Sequence, residues 1–385
     1  MKIINKVLVT LAVFLCALSA FALKTGSPAI ELQISKWLKN GPVSLKPDVK
    51  GDKIYVIFFF ATWSNSTANV FRFVSEQATT YGDYGVEFIG ISPENVQIVK
   101  KYLKDTPNLN IKFALGVDDH SKTYDEYMKG QDGVPFFFVY DKDKKLIWEG
   151  SPAEENGVLL HILGGTFNED TQKEVEKYHK EMRRATQEFN FNERLEYAER
   201  ILKVDPMDRL AVDTMIDNYI RNNEVKKCLA FVGETRKKVA SNKFVQFFLY
   251  ISELNIVRGI VTKEGKNYVE KLSDHYLESF GTNPDALDSF SIKLMMNIPP
   301  EITSLKNALL MSKKAVELQS KLKNNKKLAL FLQTLARGYY LVGDIDKAIA
   351  TQNKAVGLIK SKDDKATAIL SKEYYEEAKS LTKQY

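Results

Sequence analysis

The chain has 385 residues, 44% of them hydrophobic and 27% charged, with a formal net charge of +6. That length supports two domains, each with a core of its own. Acidic and basic residues are interspersed, and no basic block carries interleaved aromatics, which argues against a nucleic-acid partner.

At the start of the chain, Lys2 and Lys6 precede an apolar run from Val7 to Leu18, and Ala20-Phe21-Ala22 offers a small-x-small cleavage site. This is the pattern of a secretory signal over residues 1–22. An uncleaved anchor is the rival reading, but the run is short for a membrane span, which needs about 20 residues. Leu15 ahead of Cys16 fits a lipoprotein site poorly. Removal of the segment would leave a mature chain near Leu23 without a membrane span, exported to a periplasm or secreted. Losing Lys2 and Lys6 takes the charge from +6 to +4. Of the two cysteines, Cys16 and Cys228, only Cys228 would remain, so no intramolecular disulfide is expected in a compartment that allows one.

Pro28 to Leu45 reads as a lead-in turned by Gly41-Pro42. Lys53 to Ala61 is too continuously apolar for a one-sided strand and predicts a central one buried on both faces. Trp63-Ser64-Asn65-Ser66-Thr67 follows, and then a helix from Ser66 or Thr67 to Tyr81 with Val70, Phe71, Val74 and Ala78 on one face. A second buried strand spans 85–91, a helix opens at Pro93 or Asn95 and runs to about Lys104, and a short strand covers 111–115. Tyr124 to Met128 is a helical turn, and Val134 to Tyr140 is a strand entered through Pro135. Asp141 to Lys144 turns into Leu146-Ile147-Trp148-Glu149, and Ala153 to Leu163 is a helix stopped by Gly164-Gly165. Strand and helix alternate as in a single α/β layer domain.

Residues 26–163 resemble the thioredoxin superfamily, in particular its bacterial extracytoplasmic thiol–disulfide oxidoreductases. The match runs through Phe59-Phe60-Ala61-Thr62-Trp63, Ile89-Gly90-Ile91-Ser92, and Gly133 to Asp141. The resemblance implies a cis peptide bond at Pro135, facing the turn. It also places the nucleophilic cysteine at Ser64, the resolving cysteine at Thr67 and a proton-managing carboxylate at Phe58, so all three are replaced. Exchange needs a thiolate, which a helix N-terminus helps a cysteine to supply and a serine cannot. Ser64 to Thr67 are expected to cap the helix by accepting from its free N–H groups, with anion or peptide contact as a further role. Installing Ser64→Cys and Thr67→Cys should give a disulfide-forming pair of poor turnover, which Phe58→Asp should improve.

Beyond Thr166 strand patterns stop. Leu332, Leu335-Ala336, Tyr339, Gly343-Asp344, Ala348-Ile349 and Ala355 resemble a tetratricopeptide repeat. Ala308 and Ala315 repeat part of it, and Val212, Met215, Tyr219, Asn223, Cys228 and Leu229 fit the same template, with Cys228 as packing filler. The signature blurs between Ser241 and Ile298, and Ala368 to Tyr385 reads as a capping helix.

The expected architecture is therefore a thioredoxin-like α/β domain over 23–165 followed by an all-α, tetratricopeptide-like domain over 166–385. Four scattered histidines (His120, His161, His179, His275) lack ligand spacing, and phosphate loops are absent, so neither metal nor cofactor is expected. The functional expectation is a non-catalytic adaptor for a protein or peptide partner. Its binding residues would be Trp63, Ser64, Asn65, Val134 and Pro135, assisted by the helical repeats. The alternative is a divergent thiol–disulfide oxidoreductase or peroxiredoxin-like protein with weak activity.

Overall fold

The computed structural model describes residues 23–46 and 53–382, so the expected signal segment lies outside the described residues. The chain divides into two compact units between Lys173 and Glu174.

The first unit is built on one mixed sheet. Its strands are β1 (Ile34–Lys39), β2 (Ile54–Phe59), β3 (Val86–Ser92), β4 (Ala114–Asp118), β5 (Phe136–Tyr140) and β6 (Leu146–Gly150), in the order β1-β4-β3-β2-β5-β6. β2 runs parallel to β3 and β3 to β4, while β5, β6 and β1 pair antiparallel. Helices α1 (Thr67–Tyr81), α2 (Val96–Asp105), α3 (Lys122–Tyr127) and α4 (Pro152–Leu163) complete it.

Every residue of β2 is buried, as its unbroken apolar run requires of a central strand. Alternate side chains feed two cores. Ile54, Val56, Phe58 and Phe60 pack with Val70, Phe71 and Val74 of α1, Val99 of α2 and Leu159 of α4. Tyr55, Ile57 and Phe59 pack with Tyr127, Met128, Leu32 and Leu45 on the other face. This two-sided burial fixes the register, since a one-residue slip would exchange the faces.

Two expectations need correction. The lead-in contains a strand, β1, which sits at the sheet edge with a half-exposed side-chain pattern and so gives no clean alternation. The strand expected at 111–115 is displaced to Ala114–Asp118. Gly116 looks like a breaker there, yet a Cβ on it would come within 2.9 Å of the Ile34 side chain, so β1 and β4 pair closely because it is glycine. Asp118 ends β4, and its carboxylate accepts from the N–H groups of Thr123 and Tyr124 at 3.1 and 2.7 Å, anchoring α3.

The second unit is helical. The division falls within α5 (Glu169–Gln187), which is followed by α6 (Phe191–Val204), α7 (Arg209–Arg221), α8 (Val225–Lys238), α9 (Lys243–Val257), α10 (Lys263–Phe280), α11 (Pro284–Met296), α12 (Leu305–Lys321), α13 (Asn325–Leu341), α14 (Ile345–Leu358) and α15 (Lys362–Thr382). From α6 onward each helix packs on the next. The last helix opens at Lys362, ahead of the expected Ala368.

Four of the connections share one device. Phe189, Asn223, Lys323 and Gly343 all adopt left-handed φ, from 52° to 83°, and each is followed at once by the N-cap of the next helix. In three of them the N-cap N–H donates to the carbonyl five residues back: Asn190 to Ala185, Glu224 to Tyr219 and Asp344 to Tyr339, at 2.8–2.9 Å. This left-handed cap satisfies carbonyls at the end of one helix while turning the chain into the next. Ala308, Ala315, Ala336, Ala348, Ala355 and Cys228 are fully buried.

Candidate functional site

Register places the site. Phe59 pairs with Phe136, so Val134-Pro135, just before β5, lie at the same sheet edge where β2 gives way to Phe60, Ala61 and the turn into α1. The Val134–Pro135 peptide bond is cis, as is Gly41–Pro42. Trp63, in the turn, is 73% exposed, and Asn65 is also exposed. Ser64, Ser66, Val134 and Pro135 are half-buried.

The hydroxyls of the turn do not behave as expected. Ser66 is the N-cap of α1, in helical conformation, and its side chain makes no capping hydrogen bond. Its Oγ pairs with Ser64 Oγ at 3.0 Å instead. Thr67 is fully buried and its Oγ1 donates back to the Ala61 carbonyl at 2.7 Å. Ala61 also accepts from Ser64 N–H at 3.1 Å, and Ser64 in turn accepts from Thr67 N–H at 3.1 Å. The turn is thus closed by its own backbone, with the Thr67 hydroxyl as a tie, and the capping role is corrected to a bracing one.

A residue that no motif singles out holds the turn from outside. Glu94, after β3, accepts from Thr62 N–H at 2.5 Å and Thr62 Oγ1 at 2.8 Å, and Ser92 Oγ donates to it at 3.2 Å. A faint signal exists in the sequence, since Pro93 and Asn95 mark the start of α2 and the carboxylate lies between them. Hydrogen bonds to an ionised acceptor contribute more than neutral ones. Glu94→Ala is therefore expected to cost about 2 kcal/mol and to alter Trp63 emission in the folded protein, read by urea denaturation followed through tryptophan fluorescence. An unchanged midpoint and spectrum would show that the turn holds itself.

Phe58 sits beneath the turn, wholly buried and ringed by aromatics. It stacks on Phe137 at 5.1 Å and meets Phe113 at 5.2 Å and Phe71 at 6.3 Å edge-on. No carboxylate occupies the place where the resemblance puts a proton acceptor. Cys228 lies in the other unit, on α8, fully buried, with its thiol pushed up to about 11 by burial and its Sγ 4.0 Å from the Ile216 carbonyl. A thiol so placed is a poor nucleophile.

Residues 25–149 match the AhpC/TSA family. Protein FixW of Rhizobium leguminosarum is 28% identical over 170 residues, covering 41% of this chain and 74% of that protein. The thiol-disulfide oxidoreductase ResA of Bacillus cereus is 28% identical over 130 residues, covering 32% and 71%. A crystal structure of a putative thiol:disulfide interchange protein DsbE from Chlorobium tepidum aligns over its whole length with 38% of this chain, at 19% identity and a TM-score of 0.32. The first unit is a thioredoxin-like α/β domain with thiol–disulfide oxidoreductase homologues, joined to a long run of helices. No helix among the described residues is long and apolar enough to cross a membrane.

Proposed function

We propose that the protein is an exported, non-catalytic member of this thioredoxin-like group that holds a protein or peptide partner. In this reading residues 1–22 are a cleaved signal, the domain boundary falls near 165, and the helix pairs are tetratricopeptide-like. The observation that carries the proposal is the chemistry of the turn. Where exchange needs two sulfurs, Ser64 Oγ is bonded to Ser66 and Thr67 Oγ1 is buried against the Ala61 carbonyl. Among the described residues no general base is bonded to either hydroxyl to activate it as a nucleophile. What remains is an exposed indole, Trp63, on a turn braced by Glu94 and set at the same sheet edge as Val134-Pro135. Exposed aromatics on rigid supports make binding anchors. The helical run supports the same reading, since stacked helix pairs usually present a protein-binding surface.

The second reading, a divergent oxidoreductase, is favoured by the named activity of the ResA relative. It would need Cys228 or a thiol from elsewhere.

The test is capture of partners from the native compartment by the mature chain, with Cys228→Ser removing its single thiol. The Cys228→Ser chain is expected to retain the wild-type partners, while Trp63→Ala and Pro135→Arg, checked for folding by circular dichroism, should lose them. Partners retained unchanged by both folded variants would sink the binding role of this face, and partners lost only in a folded Cys228→Ser chain would favour the oxidoreductase.

A further inference from the structure

A cleft of about 500 Å³ opens between α13 and α15, lined by Arg337, Tyr340, Leu341, Leu370, Tyr374 and Tyr375. At its base Tyr375 is buried, and Tyr340 stacks on it at 4.9 Å and 27°. Tyr340 Oη donates to Tyr374 Oη at 3.0 Å, which leaves the Tyr374 proton free to donate outward. Arg337 is exposed, and its guanidinium has no hydrogen bond or ion pair among the described residues. On α15, by contrast, Lys372 pairs with Glu376 and Lys379 with Asp346. Two large apolar groups also stand in solvent here, Leu370 at 65% and Tyr374 at 56% exposure.

These features ask for one kind of ligand. The Arg337 guanidinium and the Tyr374 phenol O–H line one cleft, and both are donors from which a carboxylate accepts. Leu341, Leu370 and the Tyr374 ring offer apolar area beside that anion. The volume is that of a small-ligand pocket, enough for a chain end but not for a long segment. We propose that this cleft captures the carboxy terminus of a peptide whose last side chain is apolar. The carboxylate sits on Arg337 and Tyr374, and the side chain rests against Leu341 and Leu370. This site lies wholly within the helical unit and does not depend on the Pro135 face.

The test is fluorescence anisotropy of fluorescein-Gly-Ser-Gly-Phe, prepared as the free acid and as the C-terminal amide, against the full mature chain. The acid is expected to bind, with the amide at least about tenfold weaker, since the amide loses a charge-assisted pair. Arg337→Gln, an exposed position, should abolish the discrimination, Tyr374→Phe should weaken the acid several-fold, and Pro135→Arg should change neither. Equal affinity for acid and amide, binding of neither, or discrimination surviving Arg337→Gln would overturn the proposal. Displacement of the acid peptide by tetragalacturonate more readily than by its unlabelled form would reassign the cleft to acidic sugars.

Discussion

Phe58→Asp is expected to unfold the α/β unit and not to assist a restored cysteine pair. Removing a buried phenylalanine costs about 3–5 kcal/mol through lost transfer energy and the cavity left behind. An aspartate in that cavity would face Phe60, Phe71, Phe113 and Phe137, with no donor among the four side chains. Its carboxyl would have to stay neutral and unbonded or ionise in apolar surroundings, and either adds to the loss. The total is about 5 kcal/mol or more, comparable with the whole stability of many domains. Urea denaturation of the protein reads it. A variant within about 1 kcal/mol of wild type would mean that Phe58 is not packed among these rings. The improvement in turnover expected from the sequence therefore does not follow. A family carboxylate needs a polar niche, and here that niche is filled by rings. Ser64→Cys with Thr67→Cys remains a reasonable pair for a disulfide, because Thr67 N–H already bonds the Ser64 carbonyl across one turn. Its poor turnover would persist.

The opposite sign is expected at Glu155. This α4 carboxylate is fully buried, and its pKa is pushed up to about 8 by desolvation, partly offset by the hydrogen bond from Gln77 Nε2 at 2.9 Å. Glu155 Oε1 and Gln77 Oε1 have no hydrogen-bond partner among the described residues. The unfolded chain gives up the Glu155 proton near 4.5, whereas the folded one keeps it to about 8. Between those values the native state binds more protons, so stability falls as pH rises across the window and levels off above it. Glu155→Gln removes the titration and places a donor where an acceptor stands unpartnered. It should be nearly neutral at about pH 4.5. By about pH 7 it should stabilise by as much as about 3 kcal/mol, because each pH step of one inside the window costs the wild type about 1.4 kcal/mol. Thermal melts of both proteins across that range read the difference. A gap that stays constant with pH would show that Glu155 is ionised in the folded state. Asp288 on α11, raised to about 7 by burial, carries the same sign in the helical unit, and comparison of the pair of proteins cancels it.

What could be read from residues alone follows the strength of the local signal. β2 was legible because an apolar run with no polar interruption has one structural solution, a strand covered on both faces. The α1 span agreed at both ends, Thr67 and Tyr81, because its apolar face repeats at helical spacing. β1 was not legible, since an edge strand with exposed residues has no period to detect. At the site, Pro135, Ser64, Thr67 and Phe58 could be placed by motif, but hydroxyl direction could not. A threonine at a helix start can accept from an N–H or donate to a carbonyl, and only the position of Ala61 decides. The role of Glu94 was only faintly marked for a related reason, because its partner Thr62 is 32 residues away.

The helical half shows how one geometry hides behind different letters. The turn with Gly343 announces itself, because glycine takes a left-handed φ without strain. Asn223 does so more faintly, and Phe189 and Lys323 adopt the same backbone with no such sequence signal. Between Ser241 and Ile298 the small-residue spacing disappears because rings take over the packing. Tyr276 stacks on Phe290 at 3.8 Å and on Phe280 at 4.7 Å, with Tyr250 edge-on. Beside them Arg236 pairs with the fully buried Glu253 at 2.9 Å and lies over the Tyr250 ring. A pattern tuned to alanine cannot find a seam built from tyrosine, phenylalanine and a buried ion pair.

The central claim is that the frame of a redox site persists here without its chemistry. Insulin reduction by the protein tests it most directly, with the Cys228→Ser variant run in parallel. The account predicts turnover at the uncatalysed background for both proteins. Turnover above background in the wild type that disappears in Cys228→Ser would contradict it.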